Sequence, residues 1–142
     1  MILPDVNLLL YAVDAAAPRH AQAREWLEST LSGTEEVGFA WAVALGFVRI
    51  STNPVAFEEP LDAAKAFGYV EEWLARPVSS TLSLGSGHVT LMRELLQPLG
   101  IAGNLTSDAH LAALAIEHGA ELCSSDTDFA RFEGLRWRNP IS

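Results

Sequence analysis

Short apolar segments of strand length alternate along this chain with longer segments in which apolar residues recur at helical spacing. Strands that alternate with helices predict a mostly parallel sheet with right-handed crossovers and a covering of helices. Sheets of this kind place their ligands beyond the carboxyl ends of the strands. We therefore predict an α/β fold whose functional residues lie at those strand ends. The predicted strands are Met1–Leu3, Val37–Ala40, the neighbourhood of Ser80–Leu82, Glu121–Cys123 and Leu135–Trp137.

The predicted helices are of two kinds. Three segments carry a single apolar stripe, which predicts surface helices that cover the sheet. Two others, Trp41–Ile50 and Ala109–Ile116, are apolar on nearly every side and predict central helices packed on most of their circumference. The tryptophans lie within apolar patterns, so we interpret Trp26, Trp41, Trp73 and Trp137 as core residues rather than as platforms for stacking bases. The three stripes are Ala23, Trp26, Leu27 and Leu31; Ala63, Ala66, Phe67, Val70, Trp73 and Leu74; and Val89, Met92, Leu95, Leu96 and Leu99.

Length and charge limit what such a chain can do. With 142 residues, of which 49% are hydrophobic, the chain can bury a substantial core, and we expect one domain spanning residues 1–142. The 18 acidic residues exceed the nine basic ones and give a formal charge of −9. This balance disfavours nonspecific attraction to nucleic acid or to an anionic membrane. Any chemistry on nucleic acid must therefore be local, metal-assisted or both.

The cysteine content and the first residues bear on the compartment. Cys123 is the only cysteine and has apolar neighbours, so no internal disulfide is possible and a buried thiol is expected. The chain has no apolar run of membrane-spanning length, and its first residues lack the pattern of a secretory signal. We expect a cytoplasmic protein that does not associate with membranes.

Acidic residues follow two of the predicted strands and begin one of the central helices. Asp5 comes after the first strand, Asp126 and Asp128 come after the fourth, and Asp108 stands where the second apolar helix starts. Taken alone, each is explained by helix capping, which is the preferred interpretation of Asp5 by itself. Capping does not explain why positions from three segments are all acidic in a fold that brings such ends together. We therefore predict that the four carboxylates form one cluster.

Four neighbouring carboxylates repel one another and take up protons unless a cation lies between them. Oxygen ligands suit Mg²⁺ or Mn²⁺, whereas zinc calls for histidine or cysteine at suitable spacing, and the four histidines here are scattered. A carboxylate-held Mg²⁺ mainly assists reactions at phosphate, because it activates water and neutralises phosphoryl oxygens. Without a glycine-rich phosphate loop, hydrolysis of a phosphodiester is favoured over ATPase chemistry.

These motifs, in this order, resemble the PIN-domain family and in particular the VapC-type toxins of bacterial toxin–antitoxin pairs. The similarity covers the whole chain. No single motif is specific, but their order is. The motifs that carry it are Asp5-Val6-Asn7, Phe47 to Pro54, Asp108 to Ala113, Ser125 to Phe129 and the Asn139-Pro140 ending.

The resemblance implies a three-layer α/β/α fold with a mostly parallel sheet of about five strands. It implies an endoribonuclease in which Asp5, Asp108 and Asp126 bind metal and Asp128 is a further ligand or neighbour of the site. Asn7 would orient Asp5, and Thr127 would support the acids on either side of it. The family also implies an RNA substrate, a VapB-type antitoxin and a homodimer. An arginine on a short segment of the antitoxin could satisfy the carboxylates when the metal is absent.

One departure from the family concerns the helix Trp41–Ile50. The family usually has a glutamate there, and Gly46 occupies the matching place in this chain. A glycine inside a helix suggests a close packing contact or room left for a ligand. We hypothesise that the site holds one metal strongly and a second only together with substrate phosphate. Arg49, one turn later, either reaches toward the site or extends to solvent at the helix end, and the sequence does not decide between these.

Two alternatives belong to other functional classes. The missing glutamate could mark a PIN-like module that binds RNA or a partner without cutting, although retention of four costly acids argues against this. A haloacid-dehalogenase-like phosphatase would use Asp5 as its nucleophile. However, Asn7 stands where a second aspartate is expected, and the only lysine, Lys65, lies in a surface-helix pattern.

Overall fold

A computed structural model describes all residues, 1–142, and shows five strands and six α-helices. The strands are parallel throughout and lie in the order β3-β2-β1-β4-β5. The α/β prediction is confirmed. The elements in chain order are β1 Ile2–Pro4, α1 Val6–Val13, α2 His20–Leu31, β2 Val37–Ala40, α3 Trp41–Ser51, α4 Ala63–Leu74, β3 Ser79–Leu82, α5 His88–Leu96, α6 Leu105–His118, β4 Glu121–Cys123 and β5 Trp137–Arg138.

The strand order explains the three layers. From β1 to β3 the chain advances across the sheet in one direction, and it then returns past β1 to reach β4 on the other side. Because crossovers are right-handed, this reversal places the helices before β3 on one face and those after it on the opposite face. In agreement, α1 packs on α2 and α3, α3 packs on α4, and α5 packs on α6.

The core lies between the sheet and these helices. Strands β1 and β2 are buried along their whole length, as expected for a parallel sheet covered on both faces. Helix α6 is buried at seven of its 14 positions, so its prediction as a central helix is confirmed. Cys123 is fully buried, and burial raises the pKa of its thiol to about 11, as expected of a small packed side chain.

Helix α3 differs from its prediction. Its buried face consists of Val43, Ala44, Phe47 and Ser51, and the opposite face has no element packed on it. Trp41 is 53% exposed and Leu45 is 56% exposed, so the expectation of a helix packed on most of its circumference is wrong for α3. The assignment of Trp41 to the core is also wrong. Of the other tryptophans, Trp73 is buried, and Trp26 and Trp137 are partly buried against the core.

Two smaller predictions also need correction. Val89 is exposed, because α5 turns His88 and Leu95 toward the core instead. Strand β5 begins at Trp137 rather than Leu135, because the Leu135 N–H still donates to the Phe132 carbonyl in the preceding turn. No helix combines the length and the hydrophobicity that crossing a bilayer demands.

Candidate metal centre

The acidic residues meet at the carboxyl edge of the sheet, between β1 and β4. These two strands are neighbours, with Pro4 paired to Cys123. The helices that follow β1 and the helices that precede β4 cover opposite faces of the sheet. Such a reversal of strand order opens a crevice at the carboxyl ends, where ligands of open α/β sheets bind. Asp5 follows β1 directly, and its N–H donates to the Cys123 carbonyl at 2.9 Å.

Helix α6 brings the third segment to the same edge. It ends at His118, directly before β4 begins, and it packs on the short turn Thr127–Arg131 that follows β4, so its N-terminal turn lies at the carboxyl edge. Asp108 stands in that turn and is partly buried. Its carboxylate accepts no hydrogen bond from the protein, whereas capping would have required one. The fold therefore brings Asp108 to the same edge of the sheet as Asp126, although the two residues belong to different segments of the chain.

Asp108, Asp126 and Asp128 form the tightest group of acids in the structure. One carboxylate oxygen from each lies within 4.8 Å of the other two. Asp126 also caps the short turn Thr127–Arg131, because its Oδ1 accepts from the Asp128 N–H at 2.9 Å. Asp126 is partly buried and Asp128 is exposed, so the group opens to solvent on the Asp128 side.

Asp5 lies beside this group and is held by two donors. Its Oδ1 accepts from the Val6 N–H at 2.7 Å, which makes Asp5 the N-cap of α1, and its Oδ2 accepts from Ser124 Oγ at 2.6 Å. Asp5 therefore caps a helix and also lies near the acid group. Burial raises the pKa of its carboxyl, as does the charge of Asp126, while the bonds from Ser124 and Val6 oppose the rise.

The electrostatics of Asp108 show that the acids interact. Burial raises the pKa of its carboxyl to about 6, with further contributions from the negative charges of Asp126, Asp5 and Asp128. All four predicted acids are thus within electrostatic reach of Asp108. A group of carboxylates that cannot all ionise freely is the condition that a divalent cation relieves.

Ser124 links the separate parts of the site and is the residue that the sequence interpretation overlooked. It is fully buried and directly follows β4. Besides donating to Asp5, its Oγ accepts from the Asp126 N–H at 3.0 Å and from Asn7 Nδ2 at 3.3 Å. Its position level with Asp5 in the parallel register could have indicated this role.

The residues predicted to support the site differ in how closely they approach the acids. Asn7 is close to the site through Ser124, and its buried Oδ1 has no partner within the protein. Thr127 is exposed between Asp126 and Asp128. Arg49 is exposed, forms no ion pair and does not contact the acids. A Cβ atom added at Gly46 would meet only Val6 Cγ2, at 3.6 Å, so there is room beside this glycine.

Two of the four histidines, His88 and His110, form a separate cluster with Glu117. His88 is buried, with Nδ1 2.6 Å from Glu117 Oε1 and Nε2 2.8 Å from His110 Nδ1. Glu117 also accepts from the Gly85 N–H at 2.9 Å. This linear chain of bonds joins α5 to α6. The donors available at the metal centre are therefore oxygens, which fit Mg²⁺ or Mn²⁺ and not a zinc site.

A parallel sheet of this order with acids at the β1–β4 crevice defines a small α/β domain with a group of carboxylates that could hold a divalent cation. Comparison with known proteins agrees with the resemblance seen in the sequence. The PIN domain family matches residues 2–135. The chain belongs to the PIN-domain family and, within it, to the VapC ribonucleases.

Curated relatives from Mycobacterium tuberculosis cover nearly the whole chain. Ribonuclease VapC33 is 45% identical over 141 residues, which is 99% of each chain. Ribonuclease VapC37 is 43% identical over 140 residues, covering 99% of this chain and 97% of its own. Among solved structures, VapBC2 from Rickettsia felis bound to a promoter DNA fragment has a TM-score of 0.71 at 19% identity, with 98% of each chain covered. The assignment favours a nuclease over the two alternatives.

Proposed function

We propose that this protein is a cytoplasmic endoribonuclease, the toxin of a toxin–antitoxin pair, with Asp5, Asp108, Asp126 and Asp128 as its metal-binding residues. The observation that carries the proposal is the convergence of Asp108, Asp126 and Asp128 within 4.8 Å at the β1–β4 crevice. Relatives at 45% and 43% identity are named ribonucleases, which supports RNA as the substrate. Mg²⁺ or Mn²⁺ would supply an activated water and charge neutralisation at a phosphodiester.

The residues of the chain have separate tasks in this proposal. Asp108 has no hydrogen-bond donor and a raised pKa, so its oxygens are the freest to bind a cation. Asp126 and Asp128 are fixed relative to each other by the bond between Asp126 Oδ1 and the Asp128 N–H. Ser124 and the Val6 N–H orient Asp5, and the partnerless Oδ1 of Asn7 is available to hold a water molecule nearby. The open Asp128 side admits the substrate.

An antitoxin partner follows from the same site. The solved structures that this fold resembles include VapBC2 from Rickettsia felis and VapBC-1 from nontypeable Haemophilus influenzae. We propose that a VapB-type antitoxin masks the acids here, with an arginine that pairs with carboxylates lacking their metal.

A homodimer is the remaining part of the proposal. A groove of about 910 Å³ along α5 is lined by apolar side chains, including the exposed Val89 and Ile101. An apolar patch of this kind is typical of a subunit interface. Sedimentation should show a dimer that a Val89→Glu, Ile101→Glu double variant converts to a monomer. A monomeric parent would contradict this part only.

The enzymatic proposal is tested with metal-free protein and total RNA. Cleavage should appear on addition of Mg²⁺ or Mn²⁺, and it should be lost in Asp5→Asn and Asp126→Asn. Asp62→Asn is the matched control, because Asp62 also caps a helix but lies on α4, outside the acid group. Cleavage that continues in Asp126→Asn, or RNA binding without any cleavage by the parent, would overturn the proposal; the second result would select a binding module.

A further inference from the structure

The exposed face of α3 carries a stripe that the metal centre does not use. Trp41, Leu45 and Arg49 follow one another at intervals of four residues, so they share one side of the helix, and we call them the α3 stripe. All three are exposed, with Trp41 at 53% and Leu45 at 56%. The Trp41 indole N–H forms no hydrogen bond within the chain, whereas that of Trp137 donates to the Ser124 carbonyl at 3.1 Å. The half-exposed Trp41 side chain is therefore held by no hydrogen bond.

The stripe begins next to the metal centre. Continuing the parallel register of Ile2 with Val37 along both strands places Asp5 level with Ala40, the residue before Trp41. Neighbouring strands are about 4.8 Å apart, so α3 starts one strand away from Asp5. Gly46, next to Leu45 in the helix, lies beside Val6, the residue after Asp5, since a Cβ added at Gly46 would meet Val6 Cγ2 at 3.6 Å.

The chemistry of the stripe suits a single nucleic-acid strand. Aromatic side chains stack on bases of any sequence, and a cation on the same path pairs with the backbone. Arg49 lies about 12 Å from Trp41 along the helix axis. It forms no ion pair within the chain, unlike Arg76 and Arg138, each of which is paired with a glutamate. In a protein with a net charge of −9, such a cation is needed to offset repulsion of the phosphates.

We propose that Trp41 stacks on a base of the RNA strand next to the cleaved phosphodiester, and that Arg49 pairs with a phosphate further along the same strand. This inference rests on the proposed function, because it takes the acids as the place of cleavage. Leu45 lies between the two contacts and covers the apolar part of the bound nucleotides. The stripe thus determines how RNA enters the site, and the acids determine where it is cut.

The test measures binding separately from cleavage. An Asp126→Asn chain, which should not cut and serves as the parent, is titrated in Mg²⁺ with a short unstructured RNA that carries a fluorescent label, and the anisotropy of the label gives the affinity. The tryptophan fluorescence of the protein is recorded in the same titrations. Adding Trp41→Ala should weaken binding about tenfold, as expected for loss of one stacked base, while Trp41→Phe should retain most of the affinity. Phe67→Ala is the matched control, since Phe67 is an exposed aromatic residue on α4, and it should leave binding unchanged.

Two further readouts separate base stacking from other causes. An oligomer of the same length without bases should bind the parent and Trp41→Ala chains equally. Arg49→Ala should reduce the salt dependence of binding by roughly 0.7 in log–log slope, the value for one contact to a single-stranded phosphate. Quenching of the tryptophan fluorescence by bound RNA should disappear in Trp41→Phe.

The outcomes distinguish this inference from the proposed function. Equal RNA affinity in the parent and Trp41→Ala chains, or no RNA binding by the parent, would overturn the assignment of the α3 stripe to RNA binding. This holds even if the wild-type protein cleaves RNA with metal. A fall in molecular mass in Trp41→Ala would instead assign the stripe to contact with a second copy and would also overturn it. Failure of metal-dependent cleavage by the wild-type protein, with the effect of Trp41→Ala on RNA binding intact, would overturn the proposed function and leave the stripe as a contact for RNA.

Discussion

Ser124 Oγ donates a hydrogen bond of 2.6 Å to Asp5 Oδ2, across 119 residues of sequence. This bond joins the carboxyl ends of β1 and β4 and fixes one acid relative to the turn that carries two others. The same hydroxyl accepts from the Asp126 N–H. The relative placement of the acids from two strands therefore depends on a neutral side chain that does not itself belong to the acid group.

Ser124→Ala should weaken metal binding by about tenfold to a hundredfold, the usual cost of removing a group that orients metal ligands. Without the hydroxyl, Asp5 also loses a bond that opposes the rise of its pKa, so its charged form becomes less stable. Calorimetric titration with Mn²⁺ measures the effect. Ser125→Ala is the control, because the Ser125 side chain makes no hydrogen bond. Equal affinities in the two variants would show that Ser124 does not position the acids.

Gly46→Glu should strengthen the binding of Mg²⁺ or Mn²⁺. The site beside Gly46 has room, since an added Cβ would meet only Val6 Cγ2 at ordinary contact distance, and the new carboxylate would extend toward Asp5. Replacing a helical glycine also removes an entropic cost of roughly 0.5–1 kcal/mol, so thermal stability should not fall. Titration with Mn²⁺ is compared with that of Gly68→Glu, a helical glycine on α4 with open space around it. Tighter binding confined to Gly46→Glu is expected; unchanged binding would contradict the proposed geometry.

The metal-free protein should become more stable as the pH falls from 7.5 to 5. The pKa of Asp108 is about 6 in the folded chain, against 3.8 when unperturbed, so the folded state binds the proton more strongly. This stabilisation is fully present below pH 3.8 and is lost as the pH rises through 6. Asp108→Asn should therefore stabilise the metal-free chain most at pH 7.5, less at pH 5, and little below pH 3.8. Urea unfolding at pH 7.5 and at pH 5 tests this, and a variant that is destabilised at pH 7.5 would contradict it.

His88→Ala should destabilise the fold by about 2 kcal/mol or more, because it removes a buried side chain together with its bonds to Glu117 and His110. It should leave Mn²⁺ affinity unchanged, since the histidine cluster joins α5 to α6 and supplies no ligand to the acids. His118→Ala, at a partly exposed position where Nε2 donates to the Ser83 carbonyl, should cost less, about 1 kcal/mol. A large loss of metal affinity in a folded His88→Ala chain would place this cluster in the metal centre.

The acids were predictable from the sequence because each one stands directly beside a strand or helix that the sequence itself indicates. Asp5 and Asp126 each follow a short apolar strand, and the carboxyl ends of parallel strands share one edge. Asp108 could be added because its helix is apolar on nearly every side, so a charge at its start requires a partner. The choice between capping and clustering needed the structure, which shows that Asp5 and Asp126 cap their helical turns and also lie in the site.

Ser124 and Trp41 could not be placed from the sequence for different reasons. A serine before an aspartate is a common turn residue, and its role here arises only because β1 pairs with β4. The all-apolar pattern of α3 does not reveal whether a neighbouring element exists to cover each side. Hydrophobicity predicts which residues gain from burial, but the topology decides that nothing covers Trp41 and Leu45.

Binding of Mn²⁺ to the metal-free protein, followed by calorimetry at pH 7.5, tests the central claim most directly. We expect saturable binding in the wild type, a loss of at least about tenfold in Asp108→Asn and in Asp126→Asn, and no change in Asp62→Asn. Folding of each variant is confirmed by circular dichroism. Absence of saturable binding in the wild type, or equal affinity in all four proteins, would contradict the assignment of the acids to a metal centre.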